Sequence, residues 1–163
     1  MKLLRVEDDR RIFHLAKQER QLLALILELY PVIPSAHQSL SKSAGTANHA
    51  DQHLLDQALA EQRSENKKLI RSFLADARHF HESHDSVRMT VTAAEIEWLL
   101  QVLNDVRVGN WILLGSPADE LPELAPDDPN GPHAWAMDLA GFFQMSLLGA
   151  LNKSSSGHTD QNS

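Results

Sequence analysis

Two stretches of the chain share one arrangement of hydrophobic and polar positions. In each, an apolar residue precedes a helix-capping position, a Glu follows three residues later, and two leucines close the pattern. The stretches are residues 14–23 and 90–100. A capping residue with Glu at the third helical position satisfies free amides at a helix start, and Thr92 with Glu95 is the better example. The pattern therefore predicts two strand-to-helix junctions.

The strands before these junctions are predicted at residues 10–15 and 87–91, where β-branched and aromatic residues are enriched or alternate. Because a short strand is not stable alone, we expect the two to pair with each other. That pairing would bring the two capped helices close together. Internal duplication and two independent caps explain the repeat equally well.

Apolar residues at helical spacing predict the helices. The predicted regions are residues 18–30, 51–81, 92–114 and 135–151, with a break of the second region near residues 61–66 as an alternative. Pro31 ends the first region, and Gly115 closes the third. We expect residues 35–48 to be mobile and residues 117–132 to form an acidic loop.

These elements predict a mainly α fold, a helical bundle of four to five helices with a small two-stranded antiparallel β ribbon. They form a single helical domain over residues 1–151. Residues 152–163 are polar and are expected to be a disordered tail.

The last predicted helix is apolar on almost its whole circumference. Between Trp135 and Leu151 only Asp138 and Gln144 are strongly polar. A helix of this kind is buried on more than one side. One of those sides either belongs to a second subunit, which predicts a homodimer, or packs in the centre of a monomeric core.

Composition narrows the classes of function. The 163 residues include no cysteine, which excludes disulfides and zinc–sulfur sites. The net charge of −7 makes nucleic-acid binding unlikely on average. The longest nearly uncharged apolar run, residues 108–114, is too short to span a bilayer, so no membrane contact is expected. The N-terminal residues become charged too early for a signal peptide, which predicts a cytoplasmic protein.

A histidine-rich stretch is the first candidate for chemistry. His79, His81, His84 and Asp85 lie close in sequence, and on a helix some of them would share one face. Such spacing can bring two imidazoles to one metal ion, but no complete ligand set or H-E-x-x-H motif is present. We therefore expect no metal and no cofactor, and keep these four residues as a weak alternative metal site.

Asn104, Asp105 and Arg107 are the second candidate. On the predicted helix Arg107 borders the buried face, where a guanidinium needs a carboxylate or carbonyl partner, and Trp111 one turn later could stack on it. The structural interpretation is an ion pair that locks two helices together. The functional interpretation is a polar pocket that binds an anionic ligand or partner through these three residues.

No motif supports catalysis. The chain has no G-x-S-x-G sequence, no Gly-rich phosphate loop and no distinctive carboxylate pair, so we expect no enzyme. No compact helix, glycine turn and basic second helix occurs either, which puts a DNA-binding regulator last among the alternatives.

The segment from Thr92 to Arg107, with the string Leu103-Asn104-Asp105-Val106-Arg107 at its end, resembles the signature helix of the uncharacterised bacterial DUF2017 family. Residues 15–19 and Trp135 are similar to the outer parts of that pattern, and the resemblance spans about residues 10–150. The chain departs from the pattern at Gly109-Asn110-Trp111. The resemblance implies no reaction, although some members have been labelled transcriptional regulators.

The expected function is a non-enzymatic protein-interaction or regulatory module that binds an unknown protein partner. The alternative is a helical protein that binds a metal or small ligand through its histidines. A transcriptional regulator is the third possibility.

Overall fold

The computed structural model describes residues 1–34, 49–118 and 127–156. The strands are β1 (Lys2–Glu7), β2 (Arg10–Ala16), β3 (Phe80–Glu82) and β4 (Ser86–Thr92). The helices are α1 (Lys17–Glu28), α2 (His49–Ala75), α3 (Ala93–Leu113) and α4 (Gly131–Ser156). The predicted mobile segment 35–48, residues 119–126 of the acidic loop and residues 157–163 of the predicted tail lie outside the described residues.

The four strands form one antiparallel sheet in the order β1-β2-β4-β3. The central pair is β2 and β4, with Arg10 opposite Thr92 and Ala16 opposite Ser86. The predicted pairing of these two strands is confirmed. Phe13 and Leu15 on β2 face Met89 and Val87 on β4 in this register, and all four side chains are buried.

Both predicted strand-to-helix junctions are present. α1 begins directly after β2 and α3 directly after β4. The amide of Ala16 donates to Glu19 Oε2 over 2.8 Å, and the amide of Thr92 donates to Glu95 Oε2 over the same distance. Thr92 Oγ1 accepts from the Glu95 amide at 3.2 Å, which completes the capping box at α3. The predicted cap at Thr92 is thus confirmed.

The predicted fold class is wrong in its sheet. The structure has a four-stranded antiparallel sheet and four described helices, an α+β arrangement rather than a helical bundle with a two-stranded ribbon. β1 was missed because it is an edge strand with almost no buried residue, so its sequence shows no alternation of buried and exposed positions. β3 was missed because it has only three residues and Phe80 continues the apolar spacing of the preceding helix.

Asp76 explains why α2 stops at Ala75 rather than near His81. Its carboxylate accepts from the Arg78 amide at 2.8 Å, and its carbonyl accepts from the His79 amide at 3.0 Å. An Asp side chain that binds the backbone two residues later is typical of a turn. The chain therefore leaves the helix and enters β3.

Helices α1, α3 and α4 enclose the core on one face of the sheet. The most extensive packing is between α3 and α4, and α1 contacts both of them as well as β2 and β4. α4 contributes a buried stripe that consists of Ala136, Ala140, Phe143, Leu147 and Ala150. At Gly109 of α3 an added Cβ would lie 2.6 Å from Val32 Cβ, so only glycine allows the chain after α1 to cross α3 so closely.

Among residues 51–75 of α2, the buried side chains lie in the C-terminal half of the helix. Ile70 and Phe73 are buried, whereas Leu54 near the start is 65% exposed. Asn66 makes two hydrogen bonds, donating from Nδ2 to the Tyr30 hydroxyl and accepting at Oδ1 from Trp98 Nε1. A polar contact thus connects the middle of α2 to α1 and α3.

Candidate functional site

A cleft opens where α2 ends, β3 begins and α3 starts. Its cavity has a volume of about 410 Å³. One wall is apolar and consists of Leu69, Phe73, Ala94 and Trp98. The opposite rim carries Asp76, Arg78, His79 and Glu95. A cavity with an apolar wall and a few convergent polar groups is the usual form of a small-molecule site.

Phe73 organises the apolar wall of the cleft. Its ring lies 4.6 Å from the His79 ring and 5.7 Å from the Trp98 ring, the latter in an edge-to-face arrangement. The indole of Trp98 is also held by its hydrogen bond to Asn66 over 3.3 Å. Because each ring is fixed by a neighbour, the wall of the cleft is formed before any ligand binds.

His79 lies between two carboxylates. Its Nε2 is 2.7 Å from Glu95 Oε1, and its Nδ1 is 3.6 Å from Asp76 Oδ2. The first contact is a hydrogen bond, while the second is an electrostatic contact that is too long for one. The Nδ1 atom is buried and has no hydrogen-bond partner among the described residues.

The two carboxylates are held in their ionised forms. Hydrogen bonds from the Arg78 side chain lower the pKa of Asp76 to about 2. For Glu95, burial raises the pKa, but the hydrogen bonds from the Thr92 amide and His79 together outweigh burial and hold the pKa below its ordinary value. The rim therefore keeps two fixed negative charges across most of the pH scale.

A second cavity of about 270 Å³ adjoins the first and shares Arg78, His79 and Glu95 with it. Its other lining residues are Arg10, Thr90, Val91 and Thr92. The two cavities lie side by side, and together they are called the cleft, with the first cavity as its apolar end and the second as its polar end. The hydroxyl groups that line the cleft belong to Ser72, Thr90 and Thr92.

The four histidine-region residues do not come together. The predicted metal alternative assumed a helix, but this region is a turn, β3 and a hairpin. His79 points inward and is 17% exposed, whereas His84 and Asp85 at the hairpin are 98% and 91% exposed. His81 is exposed on β3. Across the described ranges, no group of three His, Asp or Glu side chains could hold a metal ion.

Asn104, Asp105 and Arg107 point in different directions. Asp105 is buried, and its Oδ1 accepts from the amides of Val32 at 2.6 Å and Ile33 at 3.3 Å. Asn104 and Arg107 are exposed. Arg107 makes no ion pair with the residues that the structure describes, and its Nε lies 3.8 Å from the position of a Cβ on Gly141. Asp105 thus anchors the chain after α1, while Arg107 lies beside α4.

The outward face of α4 is the largest exposed apolar feature of the described helices. Trp135 and Phe142 are each 45% exposed, Leu148 is 48% exposed and Met145 is 76% exposed. Within the described residues, Gly131–Lys153 is the one stretch long and apolar enough to cross a membrane, and 28% of its most apolar window is buried. Since Phe143, Leu147 and three alanines of the same helix are buried, α4 is a core helix with a second, uncovered apolar face.

No family model, no curated protein and no solved structure matches the chain. The resemblance to the DUF2017 family stays a prediction from the sequence.

Two residues that line the cleft were predicted from the sequence to have other roles. His79 was selected as a possible metal ligand, and Glu95 as a helix cap. Asp76, Arg78 and Trp98 were not selected, because their role depends on the turn that ends α2. The signal for that turn was Asp76 itself, since Asp followed by a change of period is typical of a helix end.

Replacing Asp105 with Ala is expected to lower the free energy of unfolding by about 2–3 kcal/mol, because two backbone amides lose their acceptor. The exposed neighbour provides the control, as Asn104→Ala should change stability by less than about 0.5 kcal/mol. Urea unfolding followed by circular dichroism measures both. Equal effects of the two variants would show that Asp105 does not anchor the chain.

Asp76 is expected to contribute to stability in a defined pH range. Its pKa in the folded state, about 2, lies below the ordinary 3.8, so its contribution is complete above about pH 4 and is lost toward pH 2. The difference in free energy of unfolding between wild type and Asp76→Asn should therefore shrink over this range. Urea titrations at several pH values measure it, with Asp85→Asn as the control. A difference that stays constant down to pH 2 contradicts the assignment.

Proposed function

We propose that the protein is a non-enzymatic interaction module that acts as a homodimer in the cytoplasm and joins its two copies through the outward face of α4. The supporting observation is the row of exposed apolar side chains on that helix, Trp135, Phe142, Met145 and Leu148. An exposed apolar patch of several hundred Å² is often functional, because it can bind a partner. The net charge of −7 favours solubility of the rest of the surface.

The area of this face suits a second copy of the chain. Its four large side chains together expose roughly 400 Å², if a free large side chain offers about 200 Å². Two copies would bury about 800 Å² of apolar surface, which is about two-thirds of a 1,200 Å² interface at the lower end of the stable range. That share is close to the roughly 65% apolar surface of homodimer interfaces.

The charges near this face also suit a two-fold dimer. Asp138 is the only formally charged residue between Gly131 and Asn152. Neither Asp138 nor Arg107 makes an ion pair inside the described part of the chain, and both lie within about one helical turn of Gly141. If the two helices cross at Gly141, Asp138 of each copy meets Arg107 of the other. The crossing would form two equivalent ion pairs.

The other functions have less support. Binding of a metal through the histidines would need a ligand set that the described residues do not form. A nucleic-acid regulator would need a basic surface, against the net charge of −7.

Replacing Met145 with Glu is expected to convert the dimer into an 18.2 kDa monomer. A charge at the centre of the face should raise the dissociation constant by roughly thirtyfold or more, which is the effect of about 2 kcal/mol. Light scattering coupled to size-exclusion chromatography measures the mass. Met145 and Leu54 are both highly exposed, so neither substitution should disturb the core, and Leu54→Glu on α2 is the matched control that should stay dimeric.

A wild-type protein that has the monomer mass at every concentration would overturn the proposal, as would dissociation caused by Leu54→Glu. Co-sedimentation of a monomer with phosphatidylcholine vesicles, abolished by Met145→Glu, would assign the face to lipid and also overturn it.

Reversing single charges is expected to weaken the dimer, and reversing both should restore it. Arg107→Asp and Asp138→Arg each place two like charges together, whereas the combined variant forms the same ion pairs with exchanged signs. Sedimentation equilibrium gives the three dissociation constants. We expect each single variant to be weakened by up to roughly thirtyfold, because one substitution disrupts both ion pairs and each exposed pair contributes at most about 1 kcal/mol. A double variant as weak as the product of both effects would exclude contact between these residues.

A further inference from the structure

We propose that the cleft between α2, β4 and α3 binds a small aromatic carboxylate, with the aromatic body against Phe73 and Trp98 and the carboxylate beside Arg10. The lining residues come from α2, the turn after it, β2, β4 and α3, and none comes from α4. The site is therefore independent of the proposed dimer face.

The apolar end of the cleft indicates that the ligand has an aromatic body. Leu69, Phe73 and Trp98 form a wall in which the rings of Phe73 and Trp98 are fixed edge to face. The cavity of about 410 Å³ lies within the range of small-molecule pockets, roughly 300–1,000 Å³. Aromatic rings gain extra attraction from edge-to-face and offset contacts with such a wall, so a flat aromatic body fits better than a compact polar one.

The polar end of the cleft indicates that the ligand carries a negative charge. Both carboxylates of the cleft are already occupied, since Asp76 binds Arg78 through both oxygens and Glu95 binds His79 and the Thr92 amide. Arg10, in contrast, makes no ion pair with any residue in the described ranges. Within the described residues, Arg10 is thus the cation of the cleft that has no carboxylate partner. A ligand carboxylate would pair with it, and a guanidinium can bind both oxygens at once.

The geometry of the sheet explains why Arg10 is available. Arg10 lies opposite Thr92, the last residue of β4 and the cap of α3. Directly opposite residues of paired strands face the same side of a sheet, and Arg10 and Thr92 both line the second cavity together with Thr90.

Titration of the full chain with 2-naphthoate tests the proposal. The readout is the indole N–H signal of Trp98 in nitrogen–proton correlation spectra, assigned with Trp98→Phe and compared with the indoles of Trp111 and Trp135. Isothermal calorimetry gives the dissociation constant. We expect the Trp98 signal to move and the other two to stay. 2-Naphthamide, which lacks the charge, and acetate, which lacks the body, should both bind at least several-fold more weakly.

Two arginine variants separate the site from the general surface. Arg10→Glu should weaken 2-naphthoate by about tenfold or more, because a like charge replaces the partner of the carboxylate. Arg88→Glu, an exposed arginine on β4 outside the cleft, should leave binding unchanged. Thermal unfolding checks that both variants fold as wild type does.

The proposal is overturned if 2-naphthoate moves no indole signal at millimolar concentration, or if it moves Trp135 instead of Trp98. If 2-naphthamide bound as tightly as 2-naphthoate, the ligand carboxylate would have no role in binding, which also contradicts the proposal. Equal weakening by both arginine variants would show attraction to the overall surface rather than to this cleft.

Discussion

The antiparallel pairing of β2 with β4 is the contact on which the rest of the structure depends. It joins residues 10–16 to residues 86–92, and each of these strands passes directly into a helix. Because both junctions use a Glu at the third helical position, the direction of each helix is set within one turn of the sheet. The same register brings Arg10 to Thr92, so the pairing that builds the core also forms the polar end of the cleft.

Part of this fold could be predicted from the sequence. The capping box at Thr92, the strand pair before the two junctions and the end of α3 near Gly115, which has a φ of +84°, all follow from residue types at fixed spacing. β1 and β3 could not be predicted in this way. β1 is stabilised by hydrogen bonds to β2 rather than by a buried face of its own, and β3 is specified by its partner β4. Tertiary contacts, which a single sequence does not display, decide both strands.

The candidate sites also depend on contacts between residues that are far apart in the sequence. Burial of Asp105 was not predicted, because its hydrogen-bond partners, two amides that follow α1, are more than seventy residues away in sequence. Arg107 was expected at the edge of a buried face and lies exposed beside Gly141. The cleft could not be predicted at all from the assumed long helix, because it exists only where Asp76 ends α2 and turns His79 toward Glu95. One helix end thus decides whether these residues form a site or lie along a helix surface.

The attachment of α2 gives that helix the mechanics of a lever. Its second half carries the buried side chains Ile70 and Phe73 and the hydrogen bonds of Arg63 and Asn66, whereas Leu54 in the first half is exposed. Residues 49–62, which precede the hydrogen bond from Arg63 to the Ile33 carbonyl, extend roughly 20 Å at about 1.5 Å per residue, so a tilt of about ten degrees about the second half would displace the far end by roughly 3.5 Å. The pivot includes Phe73, which is also a wall of the cleft. A small change in ring packing at that wall is therefore converted into a much larger displacement at the opposite end of the helix.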